Sequence, residues 1–256
     1  MRLQLLSDLH LESEPFEPEP AAGAEVLLLA GDIDSSWAGL ERFRDWPVPV
    51  LMVAGNHEFD QRELTQAWPR LGEQCARWGI RLLERQSVIL KDSTGRRVRF
   101  VATVRWSDFN TFGAARRAKA MRAATYFTRV MRATRHGAIF DAEAVREEGL
   151  ACRAWLKTTL IDAPAACDAT VVITHFAPSL RCADPRYGLQ PTTASFCNAD
   201  DDLLPHADLW LHGHVHCRHD YVEEHAGRQT RVVCNSRGLV SRGEVLGYDP
   251  LLIIDA

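Results

Sequence analysis

Residues 208–219 read DLWLHGHVHCRH, a short apolar run that stops at Gly213 and gives way to histidines. Side chains on a β-strand alternate between its faces, so an uninterrupted strand would put His212, His214 and His216 on one face, with His219 close behind. The usual partner for neutral imidazoles crowded in this way is a metal ion. The same pattern, an apolar strand running out into a potential ligand, occurs four times earlier. RLQLLSD (2–8) ends at Asp8 with His10 two residues on, and EVLLLAGD (25–32) ends at Gly31 and Asp32. VPVLMVAGN (48–56) ends at Gly55 and Asn56 with His57 next, and ATVVITH (169–175) ends at His175.

Near-continuous hydrophobicity in such short runs suits strands covered on both faces. Between several of them lie helical segments such as Leu64 to Trp78, so the predicted class is α/β, a layered fold. Residues 80–104 read as antiparallel strands around a turn at Asp92 to Gly95. Residues 113–135 and 141–160 read as two Ala- and Arg-rich helices, the second N-capped by Asp141, and form a helical insertion around residues 112–160. ESEPFEPEPAAGAE (12–25) carries three prolines and five glutamates and is a loop, solvated or serving as a flap over a site.

The chain has 256 residues, 46% of them hydrophobic and 25% charged, and with no interdomain linker or internal repeat it reads as a single domain over 1–256. A net charge of −4 gives no global attraction to nucleic acid or anionic membrane. No segment approaches the ~20 apolar residues of a membrane span, and the N-terminus lacks a signal-peptide pattern. Seven cysteines without a CxxC pair argue against a disulfide framework and a structural zinc knuckle, and read as buried small hydrophobes in a cytoplasmic protein.

In open α/β folds, ligands gather beyond the carboxyl ends of the strands, so these separated strand ends can converge. Two Asp, one Asn and four or five His exceed what one tetrahedral ion needs, and oxygen and imidazole donors suit Mn²⁺, Fe or Zn²⁺. Two divalent ions are expected, and a carboxylate can bridge such a pair.

The spaced blocks Asp8-Leu9-His10, Gly31-Asp32, Gly55-Asn56-His57-Glu58, His175 and Gly213-His214-Val215-His216 resemble the signature of the calcineurin-like metallophosphoesterases, in the family's order. The resemblance implies a layered β-sandwich flanked by helices in which Asp8, His10 and His216 hold one ion and Asn56, His175 and His214 the other, with Asp32 bridging. It implies a hydroxide between the ions as nucleophile, and His57 as the acid that stabilises the phosphoryl group or protonates the leaving oxygen. Glu58 would orient a neighbour or form a surface salt bridge. His212 reads as packed, and His136, His206, His219 and His225 as surface residues.

Protein Ser/Thr phosphatases of the family carry G-D-x-x-D-R-G, where this chain has Gly31-Asp32-Ile33-Asp34-Ser35-Ser36 and no arginine. The blocks look closer to bacterial members acting on phosphodiesters, so the expected substrate is small and phosphorylated, a nucleotide included. A nuclease, a phosphomonoesterase and a non-catalytic metal-binding scaffold are the alternatives, so a nucleic-acid partner stays possible. Arg116, Arg117, Lys119, Arg122, Arg129, Arg132 and Arg135 form either a solvated face or a cap that attracts a polyanion. Asn235 and Arg237, in VCNSRG (233–238), follow a further strand and are expected to line the pocket.

Overall fold

A computed structural model describes residues 1–163, 165–225 and 227–256. In chain order the strands are β1 (Arg2–Leu6), β2 (Val26–Ala30), β3 (Val50–Val53), β4 (Ile80–Leu82), β5 (Gln86–Lys91), β6 (Arg97–Thr103), β7 (Thr134–Arg135), β8 (Ala138–Ile139), β9 (Ala169–Thr174), β10 (Leu209–His212), β11 (Arg218–His225), β12 (Arg228–Asn235) and β13 (Ile253–Asp255). The α-helices are α1 (Leu64–Arg77), α2 (Ala114–Met131) and α3 (Ala142–Lys157).

Two sheets form the centre, one ordered β13-β1-β2-β3-β4 and the other β11-β12-β10-β9-β6-β5. β1 to β4 are mutually parallel, as are β6, β9, β10 and β12, so their carboxyl ends lie on one side of each sheet. Successive side chains of a buried strand serve different layers. Leu28 and Ala30 of β2 join Leu3, Leu5, Phe100, Val171 and Leu211 in the core between the sheets. Leu27 and Leu29 pack instead with Leu71 and Cys75 of α1. The outer face of the second sheet, with Val101, Val172 and Trp210, packs against Leu156 of α3 and Leu160. Covering both faces of both sheets explains why the strands are apolar runs rather than alternating ones.

The insertion matches its expected position. α2 buries Ala120, Ala124, Thr128 and Met131, one stripe at helical spacing, and the β7–β8 hairpin leads to α3. The side chain of Asp141 accepts from the backbone N–H groups of Glu143 and Ala144, as its N-cap position predicts. β5 and β6 are antiparallel, and Asp92 Oδ1 accepts from the N–H groups of Thr94 and Arg96 in their turn.

The Pro-rich stretch is a loop with Ser13, Pro15, Glu17, Glu19 and Pro20 exposed, anchored at points along its length. Glu14 accepts from the N–H groups of Val240 and Ser241, the Phe16 ring lies 5.9 Å from that of Tyr248, and Ala21 N–H donates to buried Gln4.

Candidate metal centre

β1, β2, β3, β9 and β10 each run out into a loop that carries candidate residues, and these loops bring them together in two groups. Asp8, His10 and His216 each offer a donor atom within 4.8 Å of the others, and so do Asp32, His175 and His214. Asn56 joins the second group through Oδ1, 3.3 Å from His175 Nε2.

β10 ends at His212, so the histidines after it do not continue a strand. His214 and His216 have φ of 69° and 47°, in the left-handed region, which turns them away from the strand's alternation. His212 therefore faces different partners. Asp8, His10 and Asp32 are also left-handed, at 52°, 48° and 52°, so five of the seven candidate ligands hold a backbone conformation that non-glycine residues seldom adopt. Such backbone persists only where surrounding contacts over-determine it, and it concentrates at functional sites.

Two motif glycines allow the loops to approach. A Cβ on Gly55 would sit 2.1 Å from Asp32 Oδ1, and one on Gly213 would sit 2.0 Å from Ser7 Oγ and 2.6 Å from Asp8 Oδ2.

Each imidazole of the group is pinned by one ring nitrogen. His10 Nδ1 is 3.2 Å from Glu12 Oε1, and His216 Nδ1 is 2.6 Å from Glu244 Oε2. His175 Nδ1 donates to Ala30 O at 2.8 Å, His214 Nε2 to Ser195 O at 3.1 Å, and His57 Nδ1 lies 2.7 Å from Asp60 Oδ2. In metal sites the outer carboxylate or carbonyl fixes the tautomer and leaves the other nitrogen's lone pair for the ion. The free nitrogens do meet here: His10 Nε2 and His216 Nε2 are 3.2 Å apart, and His175 Nε2 is 3.2 Å from Asp32 Oδ2 without hydrogen-bonding geometry. A fully buried carboxylate oxygen without a hydrogen-bond partner is costly unless a cation completes it.

The charges agree. Burial alone would raise the Asp32 carboxyl, yet His175 and His57 hold it well below the usual range; Asp8 is likewise lowered against burial, by His216. Conversely, burial would lower His175, but Asp32 lifts it to about 9, and Asp8 and Glu244 lift His216 to about 10 against the same penalty. The two buried aspartates thus favour positive charge beside them, and the oxygen and nitrogen donors of the set fit divalent first-row ions.

Glu58 is fully buried, which rules out a surface salt bridge. Its carboxylate accepts from the N–H groups of Asp32 (3.0 Å), Ile33 (2.7 Å) and Gly55 (2.6 Å), tying the loop after β2 to the loop after β3. Asn235 is buried away from the pocket and donates to Leu5 O and Asp249 O, while its neighbour Ser236 donates to Asp8 Oδ2 at 2.6 Å. Arg237 is committed to Leu9 O at 3.0 Å and lies 3.6 Å from Glu14. Of the remaining histidines, His136 is exposed and His206, His225 and His219 are half-buried, with His219 Nε2 2.8 Å from that of buried His212. Sequence reasoning missed Glu12, Asp60, Ser195, Ser236 and Glu244. Asp60, three residues after His57, carried a local signal; Glu244 carried none.

Arg117 donates to Asn110 Oδ1 and Arg135 to Glu148, while Arg116, Lys119, Arg122, Arg129 and Arg132 are exposed. α2 nonetheless flanks the site, through Phe127 against Phe196 (5.2 Å) and Phe196 stacked on His214 (4.8 Å).

A family model described as calcineurin-like phosphoesterase matches residues 2–218. The solved structure of the phosphopantetheinyl hydrolase of Mycobacterium tuberculosis aligns over 97% of this chain and 93% of its own, with a TM-score of 0.68 at 19% identity, a likeness of fold. No curated protein sequence matches the chain.

Proposed function

The chain belongs to the calcineurin-like phosphoesterase family, a metal-dependent phosphoric ester hydrolase by that membership, and from this premise we propose that it is a phosphodiesterase acting on a small phosphorylated substrate, nucleotides included. The observation that carries this reading is the pair of donor groups around buried Asp32, each imidazole pinned so that its free nitrogen turns inward. Asp8, His10 and His216 would hold one ion, Asn56, His175 and His214 the other, and Asp32 would bridge them. The ions, of the Mn²⁺, Fe or Zn²⁺ class, would supply Lewis-acid charge neutralisation at the phosphoryl oxygens and generate the nucleophile from water.

The chain's own residues do the rest. His57 is 32% exposed, its backbone N–H is held by Asp32 Oδ1 at 2.8 Å, and its ring stands 5.2 Å from that of His10. With Nδ1 on Asp60, Nε2 is the nitrogen free to give a proton to the leaving oxygen. Preference for a diester is supported by the commitment of nearby guanidinium groups. Arg186, which donates to His216 O, is paired with Asp184, and Arg237 is engaged with Leu9 and Glu14, so little cationic charge remains for a monoester dianion. The exposed basic face of α2 favours approach of an anion. The phosphopantetheinyl substrate in the neighbour's name earns compounds of that class a place in a panel beside nucleotides.

The test is hydrolysis of a chromogenic phosphodiester and its monoester by metal-stripped protein resupplied with Mn²⁺, Zn²⁺, Fe²⁺ or Mg²⁺. Metal-dependent turnover faster on the diester is expected, slowed by roughly 10² to 10⁴ in His57→Ala with metal content unchanged. Faster turnover of the monoester would replace this reading with a phosphatase.

A further inference from the structure

We propose that Cys182, His212 and His219 form a third metal site, separate from the dinuclear centre, that takes one Zn²⁺-class cation. Cys182 Sγ and one ring nitrogen of each histidine lie within 4.8 Å of one another, the same spacing as the two groups above. The arrangement also repeats their imidazole geometry. His212 Nδ1 donates to Gly213 O at 2.9 Å, which fixes its tautomer and leaves the lone pair of Nε2 directed at His219 Nε2, 2.8 Å away. Two Zn–N bonds of ~2.0 Å at a tetrahedral angle separate the nitrogens by about 3.3 Å, so binding needs an opening of a few tenths of an ångström. The Tyr221 hydroxyl stands 3.2 Å from Cys182 Sγ and can donate to a thiolate there, and the Arg181 guanidinium lies over the Tyr221 ring at 4.4 Å.

The donor chemistry separates this site from the dinuclear centre. A sulfur with two imidazoles suits borderline and soft ions, whereas the other two groups contain no sulfur. Burial raises the Cys182 thiol to about 12, so the cation displaces the S–H proton, releasing one proton as the Zn–S bond forms. Cys182 and His212 are buried, while His219 and Cys217 are half-buried and give the ion a way in from solvent. An ion there would join the turn at Cys182, the end of β10 and the start of β11. Ser195, whose carbonyl holds His214, lies in the segment that follows that turn, so the site would brace the loop carrying His214 and His216.

The competing account is an N–H···N hydrogen bond between His212 and His219 with Cys182 as a packing residue. Titration of the full-length protein with Co²⁺ separates the two, because sulfur-to-cobalt charge transfer absorbs in the near ultraviolet and the dinuclear centre has no sulfur donor. A band is expected that accounts for one Co²⁺ per chain beyond those the dinuclear centre takes up, displaced by Zn²⁺, lost in Cys182→Ser, and formed with lower affinity in His219→Ala. Hydrolysis is not the readout, so the outcome is independent of the function proposed above. Absence of the band in folded protein, or its persistence in Cys182→Ser, overturns the proposal. Should Cys182→Ser fail to fold by circular dichroism, unchanged band and affinity in His219→Ala overturn it equally.

Discussion

Asp32 is held at two points, its N–H donating to the Glu58 carboxylate and its Oδ1 accepting from His57 N–H, and its Oδ2 is left for a cation. That environment makes Gly55 as decisive as any ligand. In Gly55→Ala the new Cβ would meet Asp32 Oδ1 at 2.1 Å and Asp32 N at 2.6 Å, and neither the buried carboxylate nor the backbone of a left-handed residue can move away freely. Overpacking of this kind costs roughly 1–3 kcal/mol, and here it displaces the residue shared between the two donor groups. The variant should unfold at lower denaturant and retain fewer than two ions per chain by metal analysis; full metal content would show that Asp32 tolerates the shift. At this scale the sequence spoke clearly about which residues converge, because Asp, Asn and His at strand ends announce themselves. It was silent on what holds them. Glu244 lies 28 residues beyond the histidine it orients, and Ser236 lies 228 residues from Asp8, contacts that only the closed sheets create.

Elements were legible in proportion to how local their causes are. α1 was expected over Leu64 to Trp78 and runs Leu64–Arg77, because its stripe of Leu64, Ala67, Leu71 and Cys75 and its length settle it within the segment. α3 starts at its cap for the same reason. β11 escaped because it is an edge strand with one wet face, whose alternating burial in RHDYVEEH mimics a polar loop. The histidine cluster was misread as one strand face for a further reason: the left-handed turns at His214 and His216 have no composition of their own. The cap makes a prediction at this scale. Asp141→Ala removes the acceptor for the first-turn N–H groups of Glu143 and Ala144 and should lower stability by about 1 kcal/mol, read as a shift in urea midpoint with unchanged slope. The exposed position makes other effects of the substitution small; an unchanged midpoint would mean that α3 is held by packing alone.

Across the whole molecule, one buried cation joins the insertion to the second sheet. Arg105 is fully buried, follows β6 in left-handed backbone, and uses every donor: Nε and Nη2 to Asp200, Nη2 also to Asp108, and Nη1 to Trp106 O and Gly149 O on α3. It thereby ties the loop after β6, helix α3 and the segment before β10 into one unit behind the site, a role no motif foretold. Arg105→Met keeps much of the volume but leaves two carboxylates buried without their partner, and should cost on the order of 3–5 kcal/mol at neutral pH. The pH dependence follows from Asp200, whose carboxyl burial raises and Arg105 pulls back down, with a net upward direction. Without the guanidinium the upward push is unopposed except by Arg153, 3.4 Å away. A carboxyl whose folded pKa is raised binds its proton more tightly in the folded state, so stability is retained below the unfolded value of ~3.9 and lost as pH rises through the folded one. Arg105→Met should therefore fall further behind the parent protein as pH increases from about 4 towards neutrality, measured by denaturant unfolding across that range. A deficit that is large but constant with pH would assign the loss to packing around residue 105, and the charge on Asp200 would then play no part in holding the insertion in place.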